Sequence, residues 1–73
     1  MKSPHDVFDM ERFWTDVEKY MVRHNYSNMD FCHKLWIDPA QFRLALKNRK
    51  GVSMRWAVII AKECDLSLDS YIL

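Results

Sequence analysis

Apolar residues recur three and four positions apart along most of this chain, the spacing of one face of an α-helix. In the first third the stripe is Val7, Met10, Trp14, Val17 and Met21, widened by Phe13 and Tyr20. It predicts a helix that begins either at Ser3-Pro4, with proline in the first turn, or later with Asp9 as cap. Its end is expected near His24-Asn25, because asparagine tolerates the left-handed backbone that closes a helix. A short second helix is predicted behind Ser27, with Phe31, Cys32 and Leu35 inward. Asp38-Pro39-Ala40-Gln41 is a strong third start: Asp38 can cap, Pro39 takes the first helical position, and Gln41 stands where a capping-box side chain reaches back. Phe42, with Ala45 or Leu46, gives that helix its inner face, and Asn48 to Gly51 ends it. Ser53 is the expected cap of a fourth helix with Ala57, Val58, Ile60, Ala61 and Cys64 inward. Ser67 is the expected cap of a last single turn ending in Tyr71-Ile72-Leu73. On these spacings Phe31, Leu35, Phe42, Val58 and Ala61 belong to one core.

A length of 73 residues makes this one domain, 1–73, in which residues 1–8 are a flexible arm or an extension of the first helix. One glycine and two prolines leave few tight turns, which argues against an all-β design and for an all-α one. No run approaches the roughly 18 apolar residues of a membrane span, and the polar start Met1 to Asp6 leads into no apolar secretory core. The expectation is a cytoplasmic, reduced protein with no membrane partner.

Net charge is only +1, but it is unevenly placed. No acid occurs between Asp38 and Glu63, while Arg43, Lys47, Arg49, Lys50, Arg55 and Lys62 all fall there. Such a run points to a phosphate-bearing or acidic partner, or to a plain solvated face.

Two short helices joined by about three residues, the second opened by a strong cap, make a helix-turn-helix pattern: Ser27–Leu35, then Trp36-Ile37, then Asp38–Lys47. Phe31-Cys32-His33-Lys34-Leu35-Trp36-Ile37-Asp38 resembles the Leu-Ala-x-x-Leu-Gly-Ile-Ser core of the lambda-repressor-like (Cro/repressor, XRE-type) family. Ser53-Met54 and then Ile60-Ala61-Lys62-Glu63-Cys64-Asp65-Leu66-Ser67-Leu68-Asp69 are similar to that family's tail. Val17 and Tyr20 fall where its first helix has buried aliphatics, so the likeness runs over residues 12–73. It implies a compact bundle of about five short helices, with Cys32 as the small residue at the helix crossing and Phe42 anchoring the reading helix. This sequence departs from the family at Trp36, where glycine is preferred. Either the turn differs there, or the ring is a surface contact. It departs again at Ala45, where the family has a larger residue and Leu46 can compensate.

The third departure is on the reading face. With Phe42 inward, the outward residues are Ala40, Leu44 and Lys47, flanked by Gln41 and Arg43. These five are the candidate base-facing set, although Ala40 and Leu44 offer no donors or acceptors. Ser27, Asn28, Asn48, Arg49, Lys50 and Arg55 are the candidate phosphate contacts, which position without specifying sequence. The expected function is a small DNA-binding transcription regulator of phage or mobile-element origin that acts by operator occupancy. A homodimer on two half-sites is expected, through Tyr71-Ile72-Leu73 or exposed parts of the first helix. The alternative is a protein-binding module on the same fold, an antirepressor-like partner of a repressor, with Trp36, Ala40, Arg43, Leu44 and Lys47 as its interface.

Catalytic chemistry is not expected. Cys32 and Cys64 stand alone on inner faces, and Cys32 and His33, as helical neighbours, diverge by about 100°. His5, His24 and His33 are read as surface residues. No metal, cofactor, small-molecule substrate or enzymatic activity is expected.

Overall fold

Each α-helix start in residues 8–73, the part of the chain that the computed structural model describes, is set by a side-chain oxygen. Asp9 accepts from the Arg12 amide at 3.1 Å and opens α1, Met10–Arg23. Ser27 Oγ accepts from the Asp30 amide at 3.1 Å and opens α2, Asn28–Leu35. Asp30 returns the bond, its carboxylate accepting from the Ser27 amide at 3.2 Å. Asp38 opens α3, Pro39–Asn48, with Pro39 in the first turn; its carboxylate accepts from Ala40 at 3.0 Å rather than from Gln41. Ser53 accepts from the Trp56 amide at 3.3 Å and opens α4, Met54–Cys64. Each such cap is worth about 1 kcal/mol. The chain ends in a single 3-10 turn, Leu68–Tyr71, where Ser67 stands at the cap position but its hydroxyl makes no capping bond.

All four helices also end alike. Asn25, Trp36, Arg49 and Asp65 take left-handed backbone, with φ of 58°, 58°, 52° and 56°. The amide of the next residue then reaches five residues back: Tyr26 to Met21, Ile37 to Cys32, Lys50 to Ala45 and Leu66 to Ala61, at 2.8–3.0 Å. These bonds satisfy carbonyls that the last helical turn leaves open. None of the four positions is glycine. Asp9 caps the first described helix, one of the two starts expected; the other is at Ser3-Pro4. That alternative, with Val7 and His5, lies outside the described residues. Phe8 forms an isolated antiparallel bridge with Ile72 and so does not extend the helix.

Trp14, Phe13, Phe31, Phe42, Ile60, Val17 and Cys32 are fully buried. Phe13 meets Trp14 edge-on at 5.5 Å, Trp14 meets Phe42 edge-on at 5.7 Å, and Phe42 lies 5.4 Å from Phe31. This aromatic line ties α1 to α3 and α3 to α2, in the geometries that ring quadrupoles favour. The one polar atom of Trp14 is satisfied, Nε1 donating to the Lys50 carbonyl at 2.9 Å. α2 packs chiefly on α3, while α4 packs on α1, α2 and the 3-10 turn. The radius of gyration, 11.7 Å, is near the ~11 Å of a compact domain of this length.

The described residues are all-helical, with four α-helices and one 3-10 turn where about five helices were expected, and with no strand. Among them no helix is long and apolar enough to cross a membrane. Val58 is not in the core but 46% exposed. Ala57, Ile60, Ala61 and Cys64 already fill the inner face of α4, and Val58 lies about 100° from Ala57, on the side of Met54 and Lys62. Leu35 and Tyr20 are half-buried. Tyr71, expected at a dimer surface, is buried at 3% exposure, its ring 5.5 Å from Phe13 and its hydroxyl donating to Asp16 at 2.6 Å. Only Ile72 and Leu73 of that tail are exposed.

Candidate functional site

The outer face of α3 follows from its inner one. Phe42 and Ala45 are buried against the core, so Ala40, Gln41, Arg43, Leu44 and Lys47 all face solvent. Leu44 is 53% exposed, an apolar side chain on an otherwise polar surface. A shallow depression of about 580 Å³ lies beside the first turn, lined by Ser27, Met29, Asp38, Pro39, Ala40 and Arg43 among others. A second, of about 380 Å³, lies between α3 and the start of α4, where Leu44 meets Val52 and Trp56 beside Lys50 and Gln41. Asn48, Lys50 and Arg55 are exposed, and Lys50 lines this second depression.

Among the described residues, Arg43, Lys47, Lys50 and Arg55 enter none of the salt bridges, which involve Lys34 and Arg49 only. These four cations of the acid-free stretch thus stand unpaired among the described residues, while Arg49 of the same stretch does not.

Arg49 departs from the expected phosphate set. Its Nη2 lies 2.6 Å from Glu18 Oε1 and its Nε 3.4 Å from Glu11 Oε2. It is held back onto α1, so the guanidinium braces the fold instead of facing outward. At the start of α2, Ser27 is exposed and Asn28 half-buried. Two donors there are spent on the capping box, which leaves the Asn28 and Met29 amides with no acceptor inside the helix.

At Trp36 the turn does not differ from the one for which glycine is preferred, and the ring stands at the surface. The Trp36 backbone is left-handed, as the turn requires, and its ring is 95% exposed, beside a depression formed with Cys32, His33 and Ile37. Sequence reasoning did not single out Met29 and Met54, which are 52% and 73% exposed, nor Ile37, which is buried. For Ile37 a signal existed: the residue after a left-handed helix end often packs back on the helix.

A separate polar cluster joins α1, α2 and α4. Tyr20 donates to Glu63 at 2.7 Å, and Lys34 stands 3.8 Å from the same carboxylate. The bond to Glu63, with burial second, pushes the Tyr20 hydroxyl up to about 12. Burial raises the Cys32 thiol to about 11, with help from Asp38, and the Cys64 thiol to about 12, with help from Glu63. Both stay protonated at neutral pH and act as small apolar groups. His24 and His33 are exposed. Among the described residues no group of His, Cys, Asp and Glu is placed to hold a metal.

No family model, curated protein or solved structure matches the chain.

Proposed function

We propose that this chain is a small helix-turn-helix regulator that binds double-stranded DNA, with α2 and α3 as the pair and α3 as the reading helix. The observation that carries this reading is the unpaired basic surface of Arg43, Lys47, Lys50 and Arg55 on and beside the outer face of α3. Duplex DNA presents a dense line of phosphates, and neutralising them releases counterions, which favours binding most at low salt. The likeness of residues 12–73 to the lambda-repressor-like family supports the same reading. Ala40, Gln41, Arg43, Leu44 and Lys47 approach base edges; Ser27, Asn28, Asn48, Lys50 and Arg55 hold phosphates. Arg49 is a brace and takes no part. The output is occupancy of an operator.

The test is titration of a labelled duplex at several salt concentrations. Log affinity should fall linearly with log salt, and Lys50→Ala with Arg55→Ala should lower the slope by roughly 0.9 for each phosphate no longer neutralised. Absence of salt-dependent binding to any duplex would sink the reading.

A second reading is favoured by the exposed apolar set Trp36, Leu44 and Met29. Here the same face docks a repressor-type protein, and burial of Leu44 contributes about 1.5–3 kcal/mol. Leu44→Ala should then weaken binding to a protein partner captured from the native host by about tenfold or more.

A further inference from the structure

We infer that the reading face of α3 selects thymine-containing sites through the 5-methyl group, with Leu44 as the residue that determines this preference. The inference rests on the DNA reading above and names what that site reads. Ala40 and Leu44 are four residues apart, so they share one side of α3 and stand about 6 Å apart along it. Both are exposed, and nothing in the fold uses them: the inner face is served by Phe42 and Ala45. A depression adjoins each, one walled by Pro39 and Met29, the other by Val52 and Trp56. The unpaired cations Arg43, Lys47 and Lys50 around this apolar strip complement a polyanion.

In the major groove the base edges offer donors, acceptors and one apolar group, the thymine methyl. An alanine and a leucine can use only the last. Their ~6 Å separation corresponds to about two base-pair steps at 3.4 Å each, so both can engage methyls within one half-site. Gln41 and Arg43 remain to read purines beside them. The motif therefore contains thymines within about two base pairs of each other, and Leu44 supplies the larger contact.

The experiment begins with a random-sequence duplex pool enriched on the folded protein. Each thymine of the selected duplex is then replaced by deoxyuridine, which deletes the methyl and keeps the pairing. Wild type should lose about three- to fivefold in affinity at one or two positions, the ratio expected for one methyl removed from water. Leu44→Ala should bind the thymine and uracil versions of one of those positions equally. Arg43→Ala should bind more weakly overall yet keep the discrimination. Leu44 is exposed, so its alanine variant should keep wild-type helicity, which circular dichroism checks. Sequence-selective binding without any thymine–uracil difference overturns the inference and leaves the DNA reading standing. Failure of any duplex to enrich overturns both.

Discussion

On the α1 side of the molecule Glu18 and Glu11 hold Arg49, Asp16 accepts from Tyr71, and Glu63 accepts from Tyr20 and faces Lys34. On the α3 side Arg43, Lys47, Lys50 and Arg55 stand exposed and outside every salt bridge among the described residues. Arg49 and Lys50 mark the boundary. They are adjacent in sequence and alike in charge, yet one closes the fold and the other faces outward. Charge on the first side is spent on holding helices in register; charge on the second has no structural duty, which frees it for a ligand. Two of the three tryptophans repeat the contrast. Trp14 is fully buried with its nitrogen bonded, whereas Trp36 is almost wholly exposed on left-handed backbone.

The sharpest way to break this comparison is within α3 itself. Phe42→Ala should cost about 3–5 kcal/mol, enough to unfold most domains this small, while Leu44→Ala should cost under about 1 kcal/mol. Urea unfolding of both variants reads the difference, and a larger loss for Leu44→Ala than for Phe42→Ala would mean that the two faces of α3 are reversed.

Next in size is the Arg49 and Lys50 pair. Arg49→Ala should lower stability by about 0.5–1 kcal/mol, discounted for partial exposure, and the effect should shrink in high salt. Lys50→Ala should leave stability unchanged and instead lower the salt slope of DNA binding by roughly 0.9. A variant pair behaving the other way round would reverse the roles.

Trp36→Gly should raise the melting temperature, with a gain of about 0.5–1 kcal/mol, because glycine adopts left-handed backbone without the Cβ clash. A lower melting temperature instead would show that the fold depends on the exposed ring.

The smallest effect at neutral pH comes from the two tyrosine hydroxyls bonded to carboxylates. Burial, and then the bond to Asp16, raise Tyr71 to about 12, while Tyr20 reaches about 12 through Glu63. Both shifts are upward from 10, so their stabilisation is complete below pH 10 and is lost as pH rises toward 12. Tyr71→Phe should flatten that alkaline decline in thermal melts, and ultraviolet titration should show one late-ionising tyrosine fewer.

Local chemistry was legible from the residues alone. Ser27, Asp38 and Ser53 cap within three residues of themselves, and Asn25 turns left-handed where a helix must stop; at Asp9 the residues left a second start open, and at Trp36 a different turn. Such bonds close over one turn of backbone, so the order of residues along the chain suffices to place them. The outer face of α3 was legible for the same reason, since Phe42 inward puts Leu44 outward by helical period.

Three other assignments needed the packed molecule. Val58 and Ile60 are equally apolar, and only the position of α4 against α1 and α2 decided which of them is buried. Tyr71 reads as a surface tail until the 3-10 turn folds it onto Phe13. Arg49 reads as one more cation of a basic run until α1 brings Glu18 to within 2.6 Å of it. The caps at Ser27, Asp38 and Ser53 and the stop at Asn25 followed from residue order, because those interactions span a few residues, whereas the face that α4 buries did not. Only packing decided which charges are spent and which stay free, because that depends on partners 29 or more residues away.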